Sequence, residues 1–169
     1  YKNNSKKLDY HPHSISYIFC GHVHIDHIGL LPRLYKEGCN APIICAEGSQ
    51  KLAQAMLLDS ANIMSRDILE INNRYKKNYA PLYEETDVKN TINHWKEYKI
   101  DEKIQLDDNV TFRLTGSGHI INSAQIELWI KNNNRTCKIA ITSDLGNIAV
   151  NQYYVNNFEP IQQANLLIG

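Results

Sequence analysis

The period of the apolar positions changes along the chain, and each change predicts a different element. Residues 1–13 are polar, end in "HPH" and read as a loop. "SISYIFC" (14–20) is an apolar, β-branched run bounded by Gly21 and predicts a strand. Leu30, Leu31, Leu34 and Tyr35 recur at helical spacing, with Pro32 tolerable in the first turn and Gly38 as the stop. "PIICA" (42–46) predicts a second short strand. From Ser49, a candidate N-cap, the residues Ala53, Leu57, Ala61, Met64 and Ile68 mark one face of a long helix. "INNRYKKNYAPLY" (71–83) has no period and reads as a connection, after which Val88, Ile92 and Trp95 give a second helical face.

Beyond "LDDN" the period becomes two. Val110, Phe112 and Leu114 alternate with polar residues, as do Ile126, Leu128 and Ile130, then Cys137, Ile139 and Ile141. "NNNR" (132–135) between the last two rows is a hairpin signal. The order is strand, helix, strand, two helices and a run of strands, with no internal repeat. A chain of 169 residues can form one domain and bury roughly 70% of its unfolded surface.

Composition narrows the function classes. Eighteen basic and eighteen acidic side chains cancel, so no net field marks a polyanionic partner for this piece alone. Cys20, Cys39, Cys45 and Cys137 are scattered with no CxxC pair, and read as reduced, mostly buried thiols of a cytoplasmic protein. No run of eighteen apolar residues and no signal peptide is present, so no membrane span is expected. The chain opens on Tyr1 and closes on the strand-like "ANLLIG", which reads as a fragment of a longer protein.

The densest chemistry is "GHVHIDHIG" (21–29), which places His22, His24, Asp26 and His27 on the loop leaving the first strand. On an extended loop, residues two apart point the same way, so His22 and His24 can converge on one point. Asp26 and His27 lie where the chain turns into a helix and can address a second. Imidazoles with a carboxylate suit zinc, and the N/O mixture admits manganese or iron. The competing reading, a polar loop of surface histidines, does not explain its place between a strand and an apolar helix. "GSGHIINSA" puts His119 in a glycine-flanked loop after the strand at 110–116, and "ITSDLG" puts Asp144 directly after the next-but-one strand. Each alone is an ordinary loop or turn residue. Together, each at a strand end, they supply the further ligands that a catalytic centre needs.

This set resembles the metallo-β-lactamase superfamily. Within it, "HIDHIGLLPRLYKEG", "PLYEETDV", "GHIINSAQIEL" and "SDLG" resemble the β-CASP branch, metal-dependent nucleases of RNA maturation, decay and repair. The likeness runs from about residue 14 to 169. It implies an α/β fold (α+β in some schemes): a partial metallo-β-lactamase αββα sandwich over 1–169, lacking the first strands and the inserted β-CASP lobe. It implies that His22, His24 and His119 hold one zinc, that Asp26 and His27 hold a second, and that Asp144 bridges them. Such paired ions, about 3.5–4 Å apart, bind a water between them. Asp26 would be the catalytic residue that orients this nucleophile. RNA is the implied substrate, manganese an admissible replacement for zinc, and homo-oligomers through regions outside this chain are compatible with the family.

The chain departs from the family's pattern at Gly21 (usually Thr), Asn122 (usually Gly) and Ser143 (usually Gly); none is a ligand. The family also draws a second-metal ligand and a proton donor from the lobe and beyond, so the expectation for these residues alone is one well-held metal and little RNA cleavage. Two other readings remain: a small-molecule hydrolase for a thioester or lactone, and a module that holds metal only for structure. Elsewhere, His11 and His13 read as solvated, and His94 as packing or surface. Arg74, Lys76 and Lys77 with Tyr75 and Tyr79 read as a solvated connection, with phosphate contact the sharper alternative.

Overall fold

A computed structural model describes residues 4–146, 155 and 157–169; the loop expected over 1–13 therefore lies partly outside the described residues. The chain has the mixed character expected, with four helices and two sheets among the described residues. By contacts it divides into two compact units. One comprises Tyr1–Ile18, Val23–Ile43 and Gln50–Lys96; the other comprises Phe19–His22, Ile44–Ser49 and Glu97–Gly169.

Strands β1 (Ile18–Phe19), β2 (Ile43–Ala46) and β3 (Trp95–Tyr98) form a three-stranded sheet in the order β1-β2-β3. Its backbone bonds advance together on both strands, as parallel pairing requires: Ile18 N to Pro42 O, then Cys20 N to Ile44 O; Ile43 N to His94 O, then Glu47 N to Tyr98 O. The first strand is shorter than the apolar run suggests. Pro12–Ser14 closes a 3₁₀ turn in which Ser14 N and Ile15 N donate to His11 O and Pro12 O, so the start of the run is committed elsewhere.

In the first unit, α1 (Ile25–Ile28) and α2 (Leu31–Lys36) follow the ligand-rich loop. Pro32 sits in the first turn of α2, and Gly38 takes φ +104 just beyond it, as the sequence suggests. The long helix α3 (Ser49–Tyr75) buries Ala53, Leu57, Ala61 and Ile68. It runs further than expected, taking in residues 71–75. Beyond its end, Asn72 clasps Tyr79 with two side-chain bonds of 2.8 Å, which holds the turn after the helix without apolar periodicity. Helix α4 (Glu85–Ile92) opens on a capping box of Glu84 and Asp87 and buries Val88 and Ile92. Trp95 is the correction here: it keeps the helical spacing but begins β3. The helix ends in the Asn93–His94 turn, and the alternating "WKEY" then serves the sheet.

The second unit holds a five-stranded sheet, β4 (Lys103–Gln105), β5 (Val110–Gly116), β6 (Ala124–Asn132), β7 (Arg135–Ile141) and β8 (Leu166–Ile168), in that order. The short β4 carries no period of its own and was not legible. Strands β4 to β7 pair antiparallel, while β8 lies parallel to β7. Pairings Phe112 with Leu128, Leu114 with Ile126 and Leu128 with Ile139 stack the apolar rows on one face. Phe19 and Tyr98 meet Phe112 edge-on at 5.6 and 5.1 Å.

The opposite face carries a buried charge. Glu127 is fully buried, with Arg113 Nε 2.5 Å from one carboxylate oxygen and Lys138 Nζ 2.5 Å from the other. Burial alone would push the Glu127 carboxyl up; the bonds from Arg113 and Lys138 outweigh it and hold the group below its ordinary value.

Candidate metal centre

The antiparallel register determines which loops meet. Gly116 at the end of β5 pairs with Ala124 at the start of β6, and Ile126 pairs with Ile141 at the end of β7. The loop 117–123 and the segment after Ile141 therefore leave the same end of the sheet. Ala124 N donates to Gly21 O at 2.7 Å, which brings the start of the ligand loop to that end as well. His22, His119 and Asp144 are thus neighbours because of strand pairing, although they lie far apart in sequence.

Each loop is held in shape. Ser123 Oγ accepts from His119 N at 3.2 Å and Ile120 N at 3.0 Å, and Ser117 N bonds Ser123 O. Left-handed φ values at Gly118 (+71) and Asn122 (+59) let so short a loop fold back on itself. Gly146 N donates to Ser117 O at 2.8 Å and ties the Asp144 segment to the His119 loop. Burial pushes the Cys20 thiol up to about 12, opposed in part by a hydrogen bond from the His22 backbone; the protonated thiol donates to His22 O at 3.0 Å.

His22 is 2% exposed. Its Nε2 lies 3.6 Å from Asp144 Oδ2, and His119 Nε2 lies 3.5 Å from the same oxygen. The two rings meet edge-on with centroids 4.9 Å apart. His24 follows on extended backbone (φ −63, ψ 148). One ligand atom from each of His22, His24, His119 and Asp144 lies within 4.8 Å of the others. Metal–ligand bonds of about 2.0–2.2 Å in a tetrahedron place ligand atoms about 3.3–3.6 Å apart. The distances of 3.6 and 3.5 Å match that spacing and exceed a good hydrogen bond. Three nitrogens and one carboxylate oxygen are a donor set that could hold zinc.

Asp26 and His27, the other two candidates, are not in this group. They sit on α1, where Asp26 Oδ2 and His27 Nε2 approach to 3.7 Å, with side chains 75% and 35% exposed. Two further residues shape the centre: Ser123, which sequence reasoning missed, and Ser143, which it noted only as a departure from the family's pattern. Ser143 Oγ lies 3.2 Å from His22 Nδ1. The remaining histidines are placed as read: His94 packs on Tyr35 at 4.6 Å, while His11 and His13 are exposed. Arg74, Lys76, Lys77, Tyr75 and Tyr79 are exposed around the end of α3.

Comparison with known proteins gives the centre a context. The chain is 31% identical over 126 residues to "Probable RNase MJ4" of Methanocaldococcus jannaschii, covering 75% of this chain and 27% of that protein. It is 29% identical over 111 residues to "Transcription termination factor FttA" of Lokiarchaeum, covering 66% of this chain and 16% of the relative. It is 23% identical over 144 residues to "Ribonuclease TTHA0252" of Thermus thermophilus, covering 85% and 29%. The chain is related to the β-CASP branch of the metallo-β-lactamase superfamily.

It spans less than a third of the length of each of these relatives. Among solved structures it is similar to the Rm3 metallo-β-lactamase, at 14% identity and a TM-score of 0.44, over 79% of this chain and 42% of that one. No protein-family model matches the chain. Among the described residues, no helix is long and apolar enough to cross a membrane.

Proposed function

We propose that this chain forms the metal-binding part of a hydrolase that cleaves RNA phosphodiester bonds. The observation that carries the reading is the convergence of His22, His24, His119 and Asp144 at one end of the sheet. The ribonuclease names of two relatives support RNA as the substrate. In this reading His22, His24, His119 and Asp144 would hold one zinc, and Asp26 and His27 would serve a second, to which Asp144 would also contribute. Manganese fits the same N/O donors. When bound, the metal supplies a water acidic enough to be hydroxide at neutral pH.

The protein's own groups do the rest. His22 is buried and holds its position, while Asp144 and His119, with side chains 45% and 27% exposed, leave one side of the centre open to a substrate. Asp26, on the exposed start of α1, has a carboxylate free of burial to take up and orient the proton of the attacking water. The working compartment is the cytoplasm, and these 169 residues by themselves hold one ion and cleave RNA poorly.

The test is metal analysis of the full-length gene product carrying this sequence, with a nuclease assay on single-stranded RNA for wild type and Asp26→Ala. Zinc in the wild type and a loss of about 100- to 10,000-fold in cleavage by the variant are expected. Full activity in Asp26→Ala refutes the role given to that carboxylate. Hydrolysis of a thioester or lactone in place of RNA refutes the substrate.

A further inference from the structure

Gly21 and Ser143 occupy one another's space. A Cβ built on Gly21 would lie 2.3 Å from Ser143 Oγ and 2.6 Å from Ser143 Cβ, distances that real side chains do not reach. Ser143 itself sits at φ +55, a conformation that a serine adopts at a cost and that glycine would adopt freely. A backbone position that favours glycine thus carries a hydroxyl, and Gly21, where a side chain would displace it, has none. The hydroxyl lies 3.2 Å from Nδ1 of the buried His22 ring, and Nε2 on the far side of that ring faces Asp144 at 3.6 Å.

We infer that Ser143 is the positioning residue of His22: its Oγ accepts the Nδ1 proton, which leaves the Nε2 lone pair directed at the point where Asp144 and His119 meet. An imidazole ligates through one nitrogen, and the bond made by the other sets both tautomer and ring angle. The 3.2 Å contact to Ser143 is within hydrogen-bond reach, and a hydroxyl can donate or accept there; it is the use of Nε2, which faces Asp144 at 3.6 Å, as the ligand atom that puts the proton on Nδ1. Gly21 belongs to the same device, because any side chain there would push the hydroxyl off the ring. The inference rests on the metal-centre reading for its purpose, but the tautomer itself can be measured without metal.

The test compares wild type, Ser143→Gly, Ser143→Ala, Gly21→Ala and the pair Gly21→Ala with Ser143→Gly. Two-bond ¹H–¹⁵N spectra of the metal-free, histidine-labelled proteins at pH 8 read the His22 tautomer. Competition with a chromophoric chelator reads zinc affinity. Wild type is expected to hold His22 in the Nδ1–H form. Ser143→Gly, which relieves the left-handed backbone and so should fold at least as well, is expected to lose that preference and bind zinc about 10- to 100-fold more weakly. Gly21→Ala should lose stability, and Ser143→Gly should recover part of the loss; the remainder is set by Ala124 O, 2.9 Å from the added Cβ. An unchanged tautomer and unchanged zinc affinity in both Ser143 variants would overturn the inference while leaving the metal centre standing. A wild type that binds no zinc would instead overturn the metal reading, and the tautomer comparison would still decide the role of Ser143.

Discussion

His22 Nε2 and Asp144 Oδ2 stand 3.6 Å apart, one on a side chain fully buried and the other on one half exposed. Nothing local in the sequence joins them. They meet because Gly21 is bonded to the start of β6 and Asp144 follows the strand paired with β6. The spacing is that of two ligands of one ion, and it places the buried donor behind and the accessible donor in front.

Asp144→Ala should therefore weaken zinc binding by more than the 10- to 100-fold that loss of an outer hydrogen bond causes, with little effect on folding because the side chain is 45% exposed. Chelator competition alongside thermal unfolding of the metal-free protein checks both parts.

Gly146 sits where the two ligand loops touch. An added Cβ would meet Gly118 O at 1.6 Å and His119 N at 2.7 Å, both backbone atoms that cannot swing aside. Gly146→Ala should force the Asp144 segment away from the His119 loop. The expected result is lower zinc affinity together with a loss of about 1–3 kcal/mol of stability, measured by urea unfolding. Wild-type affinity in that variant would show that the two loops are not coupled.

The Arg113–Glu127–Lys138 cluster predicts an acid-side weakness. The folded pKa of Glu127 lies below its ordinary value of 4.5. The unfolded chain therefore takes up this proton first as pH falls, so the cluster's stabilisation is complete above about 4.5 and is lost as pH drops through the folded value. Glu127→Gln leaves two cations without their carboxylate. Since Arg113 is 38% exposed, water compensates part of the loss, and a destabilisation of about 2 kcal/mol at pH 7 is expected. The gap between variant and wild type should narrow as pH falls below about 4.5, read by urea unfolding of the metal-free proteins across pH.

Leu57, fully buried on α3, provides a contrast. Leu57→Ala should cost about 2–5 kcal/mol and leave zinc affinity of the folded protein unchanged. A matching loss of affinity would mean that the centre depends on the helix as well as on the strand ends.

What could be read from the chain follows physical reach. Period two in residues 110–141 is set by one sheet face and was visible locally, as was the helical face from Ala53 to Ile68. Trp95 was misread because helical spacing persists for one turn past a helix that ends at Ile92. The extension of α3 to Tyr75 and the short β4 depend on side-chain clasps and sheet pairing that leave no period. Of the six candidate ligands, four converge and two form a separate pair on α1. Gly21 and Ser143, which looked like unrelated departures from the family's pattern, are in contact. That relation joins two stretches far apart in sequence and has no local signature.

Zinc titration of the purified protein against a chromophoric chelator, with His22→Ala and His119→Ala beside the wild type, tests the metal centre most directly. Tight uptake of zinc by the wild type, lost in both variants while both remain folded, is the predicted result. No uptake by the wild type, or uptake unchanged by the two substitutions, would contradict a metal centre at this end of the sheet.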